Sequence, residues 1–71
     1  MEEVIRKFKE KFEKDESFSV NIPKGNPDYC WEKIRIQRLR IGYAAGCMQT
    51  TDKITKDQAL QIIMDILDGK I

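Results

Sequence analysis

The chain has 71 residues, of which 41% are hydrophobic and 35% charged, and its 13 basic and 12 acidic residues leave a net charge of +1. This length predicts one domain with a thin core, and the composition argues against an intrinsically disordered chain. The small net charge excludes a general attraction to nucleic acid or to an anionic membrane, so such binding would need a local cluster of cations.

The sequence shows no targeting signal and few of the nitrogen and sulfur ligands that zinc prefers. No apolar run approaches the roughly 18 residues of a membrane span, and no apolar segment follows a basic N-terminus. We therefore expect a cytoplasmic protein with neither a membrane span nor a signal peptide. With no histidine and only Cys30 and Cys47, we predict no metal and no cofactor. On one helix these cysteines would lie about 25 Å apart, too far for a disulfide, and we expect both to be buried.

The N-terminal segment, residues 1–16, predicts an amphipathic helix over residues 2–15. Its apolar positions follow the i, i+3, i+4, i+7 spacing of one helical face. They are Val4, Ile5, Phe8 and Phe12, with Met1 beside them. We expect the two phenylalanines to dock on the central helix; the alternative is that they anchor the chain in a groove of another protein.

Residues 17–27 form a predicted linker. Apolar and polar residues alternate over residues 18–22, which is typical of a short extended segment. Its backbone either pairs with a copy of itself in a dimer, or the segment lays Phe18, Val20 and Ile22 over the core, which we favour. Pro23 and Pro27 then end regular structure.

A central helix is predicted over residues 28–48, because Asn26 and Pro27 supply an N-cap and a first-turn proline. Its helical projection shows two apolar faces separated by polar seams. The first face holds Cys30, Trp31, Ile34, Ile41, Ala45 and Met48, and the second holds Tyr29, Ile36, Leu39, Tyr43 and Cys47. The alternation within residues 34–43 permits another interpretation, a bulged strand in an α+β fold.

The C-terminal segment, residues 55–69, predicts a helix over residues 55–68. Thr55 and Gln58 form a capping box, and Gly69 occupies the usual stop position. The apolar residues of this helix span more than half its circumference, so we expect it to be broadly buried. They are Ala59, Leu60, Ile62, Ile63, Met64, Ile66 and Leu67.

These faces predict a mostly α, three-helix chain that assembles as a homo-oligomer, because one short chain supplies too few partners for a helix with two apolar faces. The predicted oligomer interface comprises Ile36, Leu39, Gly42, Tyr43 and Gly46. The two glycines would let another helix come close; their alternative role is a kink.

No combination of nucleophile, base and metal set is present, so we predict that the protein is not an enzyme. Asp65 and Asp68 lie at i, i+3 spacing, but acids on the solvent face of a helix are common.

The candidate binding residues are the cations and aromatic residues of the central stretch. They are Tyr29, Trp31, Lys33, Arg35, Arg38, Arg40 and Tyr43. The cations suit three roles: pairing with acids of a neighbouring subunit, contacting nucleic-acid phosphates, or converging in an oligomer on a phosphate-bearing ligand such as a nucleotide. Arg38 interrupts the first apolar face, and a buried charge needs a partner.

The leading hypothesis is a non-enzymatic, homo-oligomeric interaction protein that binds another macromolecule, in the style of small inhibitors and regulators made by phages and mobile elements. Its contacts would come from the central helix and the segment from Phe18 to Pro27. The alternatives are a nucleic-acid-binding regulator and an oligomeric protein that sequesters a phosphate-bearing ligand, both using the central cations.

Overall fold

The computed structural model describes residues 2–71 and is mostly helical. Three α-helices follow one another along the chain: α1 (Glu2–Lys14), α2 (Tyr29–Gln49) and α3 (Lys56–Leu67). The prediction of three helices is confirmed. Residues 34–43 lie within α2 and no strand occurs among residues 2–71, so the α+β alternative is wrong. Met1, part of the predicted first segment, lies outside the described residues.

The first helix forms for the reasons that its sequence suggests. Glu2 and Glu3 lie in its first turn, where carboxylates stabilise the positive end of the helix dipole, and Lys11 and Lys14 lie in its last turn. The Lys14 ammonium lies 2.7 Å from a carboxylate oxygen of Glu10, which lowers the pKa of Glu10 and raises the pKa of Lys14. This exposed face leaves the opposite, aromatic face to pack inward.

A 3-10 helix (Glu16–Phe18) follows α1 and replaces the start of the predicted extended segment. The Asp15 carboxylate accepts hydrogen bonds from the backbone N–H and the hydroxyl of Ser17, at 3.0 and 2.7 Å, and these bonds lower the pKa of Asp15. The resulting turn places Phe18 in the core, as predicted, whereas Val20 and Ile22 are half-buried outside the main core cluster. Because these bonds turn the backbone, residues 18–22 form no strand.

α3 lies antiparallel to α2 after a short connection. The Gln37 side chain donates a hydrogen bond to the Leu67 carbonyl at 3.2 Å, which places the middle of α2 level with the end of α3. The capping box is present: the Thr55 hydroxyl accepts from the Gln58 N–H at 3.2 Å, and the Gln58 side chain accepts from the Thr55 N–H at 3.0 Å. Gly69 ends the helix with φ +75°.

The core forms where the aromatic face of α1 meets α2 and α3. Its buried members are Phe8, Phe12, Phe18, Ala44, Met48, Ile62 and Ile66. Within α2 the covered side is the polar seam of Gln37 and Arg40, together with the borders of both apolar faces. One chain therefore covers part of each face, because α1 and the 3-10 helix approach one border and α3 approaches the other.

The cysteines and the third helix are more exposed than the sequence predicts. Cys30 and Cys47 are both free and exposed, so the prediction that they are buried is wrong for the single chain. α3 buries Ile62 and Ile66 but leaves three large apolar side chains in solvent. Both differences have the same cause, because no other element among residues 2–71 covers the outer sides of α2 and α3.

Three glycines offer a matched test of backbone conformation. A Cβ atom added to Gly42 or Gly46 would meet no other atom within 4 Å, and neither residue has a positive φ. Replacing either residue by alanine should raise the free energy of unfolding by about 0.5–1 kcal/mol, because alanine is the better helix former. Gly69→Ala should instead lower it by about 1 kcal/mol, because its φ is positive. Urea unfolding in dilute solution measures the free energy of unfolding of all three variants. Equal effects would contradict the helical conformation of Gly42 and Gly46 and the positive φ of Gly69.

Candidate functional site

Arg40 is held by its own chain. Its Nε and Nη2 atoms donate hydrogen bonds to the Phe18 carbonyl at 2.9 and 2.7 Å, and its guanidinium carbon lies 5.3 Å from the centroid of the Phe12 ring. These contacts tie the start of the linker to α2. Arg40, a predicted binding residue, therefore has a structural role in the single chain.

Arg35 is also paired, although it remains exposed. Its guanidinium forms two hydrogen bonds with the Glu32 carboxylate one turn earlier, the one from Nε measuring 3.1 Å. This pairing lowers the pKa of Glu32 and raises the pKa of Arg35. The charge of Arg35 is thus largely matched within α2.

Lys33 and Arg38 are different, because both are exposed and neither forms an ion pair or side-chain hydrogen bond within the described part of the chain. The sequence suggested that Arg38 enters a buried face. The structure leaves that part of the face uncovered, so the burial argument does not apply to the single chain. Arg38 is available to an external partner.

The two tyrosines lie on the side of α2 that is opposite Arg38. The Tyr43 ring lies 5.4 Å from Phe18 and 6.1 Å from Phe12 between centroids, with the Lys11 ammonium 5.8 Å from its own centroid. Tyr29 is half-buried in the first turn of α2. The binding residues predicted from the sequence therefore do not form one site.

Trp31 and Arg38, two of the predicted binding residues, lie in one exposed stripe of α2. Trp31 is 73% exposed, and Ile34 and Arg38 are exposed at the i+3 and i+7 positions of the same helical side. We call these three residues the Trp31 stripe. α3 ends level with Gln37, so residues 29–36 of α2 extend about 10 Å beyond it. The stripe thus starts on a projecting helix end.

A second apolar surface lies on α3. Leu60, Met64 and Leu67 are 51%, 56% and 52% exposed and follow the i, i+4, i+7 spacing. We call them the α3 ridge. The sequence predicted that these residues would be buried. The signal that could have identified the ridge is the apolar arc of α3, because one neighbouring helix cannot cover an arc this wide.

The residues of the predicted oligomer interface do not form one surface in the fold. Ile36 is 3% exposed, so it is covered within its own chain and offers no surface to a second copy. Tyr43 contributes to the aromatic cluster. Leu39, Gly42 and Gly46 do lie on the solvent side of α2.

A surface hollow of about 720 Å³ lies between α1 and Tyr43. Its charged lining is balanced: three lysines, Lys7, Lys11 and Lys14, face three acids, Glu10, Asp15 and Glu16. This balance gives no preference for a phosphate-bearing ligand. Among residues 2–71, no cluster of three or more Cys, Asp or Glu residues has the geometry of a metal site.

None of the helices described combines the length and the apolar character that a membrane span requires. In comparisons with known proteins, no family model, curated protein or solved structure matches this chain.

Proposed function

We propose that this chain is a non-enzymatic, cytoplasmic interaction protein that binds the surface of another protein through the Trp31 stripe. The observation that carries the proposal is a tryptophan that is 73% exposed and lies on the same helical side as an unpaired arginine. Tryptophan and arginine are the residues most enriched among those that dominate binding energy in protein interfaces. An exposed indole also leaves a large apolar area in water, which favours a partner.

The stripe defines the chemistry of that partner. An indole and an isoleucine on one helical side suit an apolar groove, as when an amphipathic helix binds a protein. Arg38 carries no counter-charge of its own, so an acidic rim around the groove would complement it. By occupying such a groove a chain of this size blocks other ligands, which is the action of a small inhibitor or regulator.

Nucleic acid is the second candidate, because Trp31 could stack a base while Lys33 and Arg38 contact phosphates. Protein is favoured because Arg40 is held by the linker and Arg35 by Glu32, which leaves two of the four cations predicted to bind. These contacts of Arg35 and Arg40 within the chain also weigh against an arginine pocket for a phosphate-bearing ligand.

The test compares the immobilised wild-type chain with Trp31→Ala in host extract, with and without nuclease. We expect at least one protein to be retained by the wild type and depleted about 30-fold or more by Trp31→Ala, because interface hot spots contribute about 2 kcal/mol or more. Arg38→Glu should reduce capture of the same protein. Lys24→Glu, an exposed charge reversal in the linker, is the matched control.

Trp31→Ala should leave the helix content unchanged, because the side chain is mainly in solvent. Equal capture by the wild type and Trp31→Ala would overturn the proposal. Loss of the captured protein after nuclease treatment would favour the nucleic-acid alternative instead.

A further inference from the structure

The α3 ridge and the outer side of α2 form one continuous two-helix layer that the chain does not cover. Ala45 of α2 and Leu60 of α3 line the same hollow, so the ridge begins beside the solvent side of α2. The ridge shares no residue with the Trp31 stripe, whereas the outer side of α2 includes Arg38 of that stripe. Trp31 itself takes no part in the layer, which keeps the two proposals separable by experiment.

The exposed area matches one interface of ordinary size. The chain exposes 5483 Å², whereas a compact monomer of 8.3 kDa would expose about 4,600 Å². The excess of about 900 Å² is close to the roughly 800 Å² that each partner buries in a standard interface. The radius of gyration, 12.9 Å, also exceeds the roughly 11 Å expected for a compact domain of this length.

The charges of the layer are complementary to each other. On the solvent side of α2, Arg38 is an exposed cation without a counter-charge, whereas Arg35 beside it is paired with Glu32. On the ridge side of α3, Asp68 at the C-cap is an exposed acid, whereas the exposed Asp57 at the other end has Lys56 beside it. The layer therefore complements its own copy at Arg38 and Asp68, because a two-fold rotation that exchanges the two helices brings each of these charges to the other.

We propose that two copies pack layer against layer about a two-fold axis parallel to α2 and α3. Each α3 then lies on the α2 of the other copy, which gives a four-helix arrangement. The alternative two-fold axis, perpendicular to the helices, would place α3 against α3 and α2 against α2, which leaves Arg38 without an unpaired acid. Charge complementarity therefore selects both a second copy as the occupant and the direction of the axis.

The hydrogen bond between Gln37 and Leu67 sets the register, because an axis parallel to the helices preserves the level of every residue. Leu60 lies about 10 Å before Leu67 along α3, level with residue 44 of α2. It therefore lies over Gly42 and Gly46 of the second copy, where no Cβ obstructs it. Asp68 comes level with residue 36 of the second copy, about 3 Å along the helix axis from Arg38.

The same register leaves Trp31 and Ile34 accessible, whereas Arg38, the third residue of the Trp31 stripe, lies in the dimer contact. Each α3 ends level with Gln37 of the second copy, so it does not reach the projecting residues 29–36. Both projecting ends lie at the same end of the dimer. The dimer would then present two Trp31 side chains to a partner.

Light scattering at about 100 µM, within the affinity range of interfaces of this size, tests the dimer. We expect a mass of twice 8.3 kDa. Arg38→Glu and Asp68→Arg should each raise the dissociation constant tenfold or more, because each reverses a charge at two symmetric contacts. An equimolar mixture of the two variants should restore the dimer, because every reversed charge then meets its complement.

Lys24→Glu and Glu16→Arg, two exposed charge reversals outside the layer, are the matched controls and should leave the mass unchanged. Circular dichroism checks that each variant keeps its helices. A wild-type mass of 8.3 kDa at this concentration overturns the inference, and so does a mixture that stays monomeric. Trp31→Ala should dimerise normally while losing its captured protein, so failure of the dimer and failure of the proposed function are distinguishable.

Discussion

Phe12→Ala is expected to leave the chain largely unfolded at room temperature. Phe12 is 3% exposed, and its ring centroid lies 5.1 Å from that of Phe18 and 6.1 Å from those of Phe8 and Tyr43. Truncating a buried phenylalanine costs about 3–5 kcal/mol. A single core in a chain this short supplies about the same amount in total, so one substitution removes most of the stability.

Far-UV circular dichroism during urea unfolding measures this effect. Phe12→Leu keeps most of the buried volume and should cost about 1.5 kcal/mol or less, which separates loss of volume from loss of the aromatic ring. In dilute solution, where the chain is a monomer, Leu60→Ala truncates an apolar side chain that is half in solvent and should change stability by no more than about 0.5 kcal/mol. A Phe12→Ala midpoint equal to that of Leu60→Ala would contradict the assigned core.

The helices could be predicted from the sequence because each has a local cause. The spacing of Phe8 and Phe12 with their apolar neighbours sets α1, and the capping box at Thr55 fixes the start of α3 to within a residue. Signals of this kind depend on neighbours within about four positions, so the sequence displays them directly.

The orientation of α2 could not be predicted in the same way. Its apolar residues lie on two nearly opposite sides, so no single direction points to the core. The side that is buried contains Arg40, whose alkyl stem and guanidinium reach the aromatic cluster and a backbone carbonyl. A long polar side chain can thus cover apolar surface, which a count of apolar residues does not register.

The candidate site also combines features that the sequence displays directly with features that only the fold determines. The sequence pattern grouped Trp31 with the four cations as candidate binding residues, and it treated the cations as equivalent. Only the fold separates Arg40, held by Phe18, from Arg38, which is exposed and unpaired. The turn at Asp15 determines this separation, because it returns Phe18 to a position opposite Arg40.

Arg40→Met should lower the free energy of unfolding by about 2–3 kcal/mol. The substitution keeps an unbranched side chain but removes two charged donors from the Phe18 carbonyl, and hydrogen bonds to charged groups contribute about 1.5–3 kcal/mol. It also removes the cation from the Phe12 ring, a contact worth about 0.5–2 kcal/mol. Residual packing by the methionine offsets part of the loss.

The rate of trypsin cleavage in the linker distinguishes loss of the linker's attachment to α2 from a general loss of packing. Without Arg40 the linker loses its attachment to α2, so trypsin should cleave after Lys24, which is exposed, faster than it cleaves the wild type under conditions where both are folded. Arg40→Lys should be intermediate, because an ammonium cannot make both bonds of a guanidinium in this geometry.

Arg35→Met is the matched control, since Arg35 lies on the same helix but contacts only Glu32 in solvent. It should leave both the unfolding midpoint and the cleavage rate unchanged. If Arg35→Met and Arg40→Met were cleaved at the same rate, Arg40 would not be what attaches the linker to α2. It would then have to be counted again among the cations open to a ligand, with the Phe12 ring as its remaining contact within the chain.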